Sequence, residues 1–163
     1  MSVIALILGL LFGTYIVLTI AGRLSERFKL SSSLRGRIAL SLVFLVTGLS
    51  HFFQTEATAA MLPPSVPGRV AIIYVTGVLE LAAAVGLLMP GLSRVAGICL
   101  LLFLLCVLPA NIYSAVHRVE MGGHAMGPMY LAVRVPLQIV LMAWAWWFAV
   151  RRVRPAALAE AVG

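Results

Sequence analysis

Aspartate is absent from this 163-residue chain, whose only acids are Glu26, Glu56, Glu80, Glu120 and Glu160. Charged residues of both signs together make up 10% of the sequence. So little charge excludes a soluble domain of this size, because too little polar sequence remains to cover its surface. Cysteine is scarce as well. Cys99 and Cys106 stand seven positions apart, which on one helix puts them on the same face roughly 10 Å apart along the axis. A disulfide between them is excluded while that helix is intact, and both read as small core residues. The chain has no nucleotide-binding loop, nucleophile elbow, paired-cysteine motif or haem-attachment motif, so no motif announces a reaction. Internal repeats and low-complexity segments are missing too.

What the chain has in abundance is apolar sequence: 63% of its residues are hydrophobic, gathered in runs long enough to cross a hydrocarbon core about 30 Å thick. The expected fold is all-α, a polytopic membrane protein with five spans near Val3–Ala21, Ile38–Phe53, Arg69–Met89, Arg94–Val116 and Met129–Val150. The second run is short for a span. No base precedes the first run, it is long for a signal segment, and it lacks a small-x-small cleavage pattern, so it reads as a retained helix. This divides the chain into an N-terminal helix with a basic loop (1–37), a four-helix bundle (38–150) and a short tail (151–163).

A formal charge of +7 invites a nucleic-acid reading, but the bases cluster beside apolar runs, as topology signals and lipid headgroup contacts do. No nucleic-acid partner is expected; the lipid bilayer is. Arg23, Arg27, Lys29, Arg35 and Arg37 follow the first run, Arg94 follows the turn Met89-Pro90-Gly91, and Arg151, Arg152 and Arg154 follow the last. Arg69 and Arg118 alone fall in the opposite connections. The positive-inside rule then places the N-terminus outside and the C-terminus in the cytoplasm of a bacterial-type inner membrane. Trp144, Trp146 and Trp147, just before the terminal arginines, fit an aromatic belt at the inner interface.

The outer connections are the longer ones. Thr55–Gly68 contains Met61-Leu62-Pro63-Pro64-Ser65-Val66-Pro67, whose prolines exclude regular helix throughout. His117–Pro128 carries Gly122-Gly123-His124 and reads as a flexible loop. Its two histidines lack a carboxylate set or cysteine pair, so no metal site is expected.

Polar residues inside the spans carry the functional signal. Glu80 lies eleven residues into the third run, or about 16 Å at 1.5 Å per residue, near the bilayer midplane. An ionisable group at that depth is costly and marks a partner, a proton path or a ligand. Thr47, His51 and Gln54 share a face of the second helix, and Thr76 and Glu80 one of the third. The fourth carries Pro109 and Asn111; the fifth carries Tyr130, Arg134 and Gln138 at four-residue intervals. Alternating helix directions bring these groups to related depths. His51, Gln54, Glu80, Asn111, Arg134 and Gln138 are therefore the candidate ligand or proton site, in a polar chamber opening outward. Pro109 and Pro136 shape it, because neither donates to the carbonyl four residues earlier, Leu105 and Ala132. A structural ion pair of Glu80 with Arg134, joined by His51, accounts for the same residues without a ligand. Ala82-x-x-x-Gly86 is a small-xxx-small packing pattern.

Four motifs in order, Gly48-Leu-Ser-His51-Phe52, Met61-Leu-Pro63-Pro64-Ser-Val-Pro67, Thr76-Gly77-Val-Leu-Glu80 and Leu108-Pro109-Ala110-Asn111-Ile112-Tyr113, resemble the DoxX/DoxD-like family of small membrane proteins. The resemblance covers roughly residues 38–119. It implies a DoxX-like four-helix transmembrane bundle, to which the first span is an addition. It places His51, Pro64, Glu80, Pro109 and Asn111 among the signature positions, with Gly77 inside a motif. Relatives so implied include a thiosulfate:quinone oxidoreductase subunit, proteins linked to thiol oxidative stress, and assembly factors related to a receptor chaperone. The separated cysteines argue against a direct dithiol role here. Three functions follow as expectations. One is a redox- or stress-related membrane protein holding a quinone or other small amphiphile. Another is a non-catalytic accessory protein binding a membrane partner or a second copy of itself. The third is a proton-coupled transporter.

Overall fold

The computed structural model describes residues 3–121 and 123–151. Arg152, Arg154 and the rest of the 152–163 tail lie outside the described residues. Among those described there is helix and no strand, and five helices are long and apolar enough to cross a membrane. These are α1 (Val3–Leu24), α2 (Ser32–Phe53), α3 (Arg69–Leu88), α4 (Ser93–Val116) and α5 (His124–Val150). Most of their apolar surface is not used inside the protein: Val17, Leu102 and Ile139 are 63%, 58% and 60% exposed. Such faces are stable against lipid, and the chain has the pattern of a multi-pass membrane protein.

The second span is not short. Ser31 accepts the Leu34 amide as an N-cap, so α2 starts six residues before the apolar run and carries Arg35 and Arg37 in its first turns. Arg37 reaches across to the Leu87 carbonyl at 3.4 Å, covering an end of α3 that has no helical donor. The connection after α2 forms a short helix, Thr55–Ala59, and then turns through the prolines, with Pro64 exposed.

The fifth span also starts earlier than expected. His124 opens a 3-10 segment that runs to Tyr130, and His124 is buried, not part of a flexible loop. Gly127 breaks that segment at φ 74°, ψ −156°, a conformation that only glycine adopts readily, and Pro128 starts the next turn. At the far end, a π-helical turn, Trp146–Val150, completes α5.

α2 packs on α3, α3 on α4, α4 on α5, and α5 returns to α2, closing a ring of four helices. Leu40, Val43, Leu87 and Leu100 fill the ring and are almost wholly buried. α1 lies outside it, against α2, and touches α5 through aromatic contacts of Phe12 and Tyr15 with Trp144. Cys99 and Cys106 are exposed on α4, not in the core, because the face they share points away from the ring.

Candidate functional site

Glycine decides how the site is assembled. A Cβ at Gly77 of α3 would lie 3.0 Å from the His51 Cβ and 3.2 Å from the Gly48 carbonyl oxygen. A Cβ at Gly48 of α2 would lie 3.1 Å from the Glu80 Cβ. The two glycines face one another and let α2 and α3 approach far more closely than side chains allow. In the next turns the polar groups meet across the seam. Thr47 Oγ1 donates to Glu80 Oε2 at 2.5 Å, and His51 Nε2 lies 3.1 Å from Glu80 Oε1.

Glu80 is 6% exposed and has both oxygens engaged from α2. An ionised carboxylate only accepts, so His51 presents Nε2–H to it. Nδ1 of the same ring is buried and has no hydrogen-bond partner.

The Glu80–Arg134 ion pair, the structural alternative to a ligand site, is not formed. Arg134 interacts electrostatically with Glu80, but its Nε is buried without a partner, and the direct contact of Glu80 is with His51. The reason is helix order: the closest packing of α3 is with α2, while Arg134 approaches from α5 across the ring. Gln138 is buried on α5 and donates to the Leu104 carbonyl of α4. This lies beside the Leu105 carbonyl that Pro109 leaves without a helical donor. Asn111 is buried on α4, 3% exposed. No hydrogen bond joins Asn111, Gln138 or Arg134 to Glu80 among the described residues.

The polar groups thus divide into one joined set, Thr47, His51 and Glu80 between α2 and α3, and three separate residues, Asn111 on α4 and Arg134 and Gln138 on α5. Arg134 is the one of these three that interacts electrostatically with Glu80. Gln54 belongs to neither. It ends α2 as an exposed C-cap, because the helix stops there and its side chain leaves the seam. Pro109 and Pro136 are both inside helices and exposed. Pro109 lines a shallow apolar groove of about 510 Å³ on the outer surface of α4 with Leu105, Leu108, Ile112, Tyr113, Val116 and His117, away from Glu80.

Among the described residues, no three histidine, cysteine or acidic side chains gather to hold a metal. His117 stacks on Tyr113, and His124 lies edge-on to Tyr130 with Nδ1 2.7 Å from the Met121 carbonyl.

Two contributors escape the list of charged and amide residues in the sequence. Thr47 is placed on the His51 face by its spacing but stands outside the six candidate site residues. Gly48 matters by having no side chain, which shows only once its neighbour across the seam is known. The Gln138 bond yields a direct test. Gln138→Leu should lower stability by about 0.6–1.7 kcal/mol, the range of interhelical hydrogen bonds in membranes. Thermal unfolding in detergent checks this, and an unchanged midpoint would leave the α4–α5 pair held by packing alone.

Residues 40–149, which comprise nearly all of the four-helix ring and none of α1, match a family described as a domain of unknown function (DUF8561); the chain belongs to that family. No curated protein and no solved structure matches the chain.

Proposed function

We propose that the chain is a DoxX-like inner-membrane protein, N-terminus outside and C-terminus cytoplasmic, that holds the polar head of a small amphiphile beside the His51–Glu80 pair. The supporting observation is the His51 ring itself, with Nε2 on Glu80 and Nδ1 buried but unpartnered. Burying a polar nitrogen unpaired is unfavourable, and a ligand oxygen beside Nδ1 removes that penalty. A quinone has suitable chemistry. A quinol hydroxyl donates to a neutral Nδ1, and a carbonyl oxygen accepts from the Arg134 Nε–H, which is also buried and unpartnered. The isoprenoid or other apolar tail lies among the apolar helices. Glu80 then shares a proton with the ligand through the imidazole, and Arg134 offsets negative charge. The DoxX resemblance sets this chemistry in redox- or stress-related membrane physiology.

The test is Glu80→Gln, which keeps the shape of the side chain and an acceptor for Thr47 while removing the charge. Binding of a short-chain quinone to the purified protein should weaken at least about tenfold, or 1.4 kcal/mol, with helix content and melting temperature unchanged. Equal affinity in wild type and variant removes Glu80 from the site.

A second reading has its own observation: both Glu80 oxygens are already taken by α2. In that reading the pair is an interhelical lock in an accessory protein whose surface engages a membrane partner. It gains if Glu80→Ala misfolds and no small molecule co-purifies with the wild-type chain.

A further inference from the structure

The end of the bundle where α1 and α5 finish and α2 begins is basic in a way the described residues do not compensate. Seven described bases lie there with a single acid, Glu26. That acid is taken by Lys29, whose Nζ is 3.0 Å from both carboxylate oxygens. The other described glutamates, Glu56, Glu80 and Glu120, lie at mid-helix or toward the opposite end. The arginines of this end therefore have no protein counter-charge among the described residues.

One of them is singled out by its surroundings. Arg35 lies in the first turn of α2, which contains no acid, where the helix dipole is positive and disfavours a cation. Its Nε is buried without a hydrogen-bond partner. The guanidinium is fixed over the Tyr15 ring of α1 at 5.6 Å, while the Tyr15 hydroxyl hydrogen-bonds the Ser32 hydroxyl at 2.8 Å. Tyr15 in turn packs against Trp144 and Phe148 of α5, with ring centroids 5.5 and 5.4 Å apart. Trp144 is itself tied to the Gly36 carbonyl at 2.9 Å. Tyrosine and tryptophan gathered in this way mark headgroup depth. A cation held at headgroup depth, oriented by an aromatic face and opposed by a helix dipole, is relieved by an anion that meets both the guanidinium and the helix start.

We propose that the junction of α1, α2 and α5 is a phosphate-recognition site centred on Arg35, occupied by the headgroup phosphate of an anionic phospholipid. Phosphate is the shared chemistry of a lipid headgroup and a free oxyanion, and the depth set by Tyr15 and Trp144 selects the lipid. The site also has a structural consequence. α1 lies outside the ring, so a lipid bridging α1 and α2 holds the added helix to the bundle. This inference does not depend on the Glu80 reading.

The experiment uses the full chain in detergent, with binding measured for phosphatidylglycerol, phosphatidylcholine and inorganic phosphate. Wild type should bind phosphatidylglycerol in preference to phosphatidylcholine. Arg35→Gln should weaken phosphatidylglycerol about tenfold, the loss expected for a charge-assisted contact. Arg23→Gln, an exposed base at the same end, should change it less than about twofold, since exposed charges contribute little. Equal binding of the two lipids, or equal losses in the two variants, overturns the site. Saturation by inorganic phosphate with no advantage for the lipid overturns the lipid assignment. Should Arg35→Gln fail to fold, a photoactivatable phosphatidylglycerol bound to wild type decides the question. Label is expected on the peptides that hold Tyr15 and Ser32–Arg35, and label confined to other parts of the basic end refutes the proposal.

Discussion

Glu80→Ala is expected to destabilise the bundle by about 3–5 kcal/mol, the cost of removing one partner from a buried pair. Glu80 is 6% exposed, so solvent does not repair the loss. Three groups are affected together. Thr47 Oγ1 and His51 Nε2 both lose their acceptor, and Arg134 loses the acid that interacts with it. The cavity left at the α2–α3 seam adds to the loss. Thermal unfolding in detergent measures the effect, and Glu80→Gln separates its parts. Glutamine keeps an oxygen for Thr47 and fills the same volume, so it should melt close to wild type. A second cycle with His51→Ala should be non-additive, with a coupling of about 0.5–3 kcal/mol between contacting residues. If Glu80→Ala melts like wild type, the seam is held by apolar packing and the carboxylate has no structural role.

Gly77→Ala should cost about 1–3 kcal/mol, as overpacking of a tight interior does, and Gly77→Val more. The new Cβ meets Phe52 Cε2 at 2.9 Å, the His51 Cβ at 3.0 Å and the Gly48 carbonyl oxygen at 3.2 Å. The Phe52 ring is the end of a side chain and can swing aside. The other two atoms are fixed to α2, so relief requires the helices to part. Parting them draws His51 away from Glu80, and the quinone binding proposed above should fall together with stability. Gly86→Ala is the comparison. Its Cβ meets one atom, the Ala96 Cβ at 3.1 Å, so α3 and α4 need a smaller adjustment. Equal melting temperatures for Gly77→Ala and wild type would show that the seam has slack which the contacts do not suggest.

Much of the fold is legible in the chain because membrane spans are a local property. A run of apolar residues and the bases at its ends do not depend on which helix lies alongside. The five spans, the alternating directions and the basic end follow from that alone. Boundaries shift where a cap acts, as Ser31 does in extending α2 through Arg35 and Arg37. The start of α5 moves for a different reason. Gly127 allows a kink, so the 3-10 turn can begin at His124 in a glycine-containing stretch that reads as a loop.

The site is only half legible. Four-residue spacing puts Thr47 and His51 on one face, and depth puts that face level with Glu80. Spacing puts Asn111, Arg134 and Gln138 at related depths as well, and periodicity offers no means of choosing among them. The choice is made by Gly48 and Gly77, whose missing side chains draw α2 onto α3 and give both Glu80 oxygens to α2. Gln138 is committed to a backbone carbonyl of α4, and Gln54 is left outside at the helix end. The sequence by itself determines that a carboxylate sits in the middle of a long apolar helix and must be partnered, because burial of an unpaired charge is prohibitive whatever the neighbours. Only the tertiary structure decides that its partners are Thr47 and His51, because helix order around the ring depends on close approach between segments far apart in the chain.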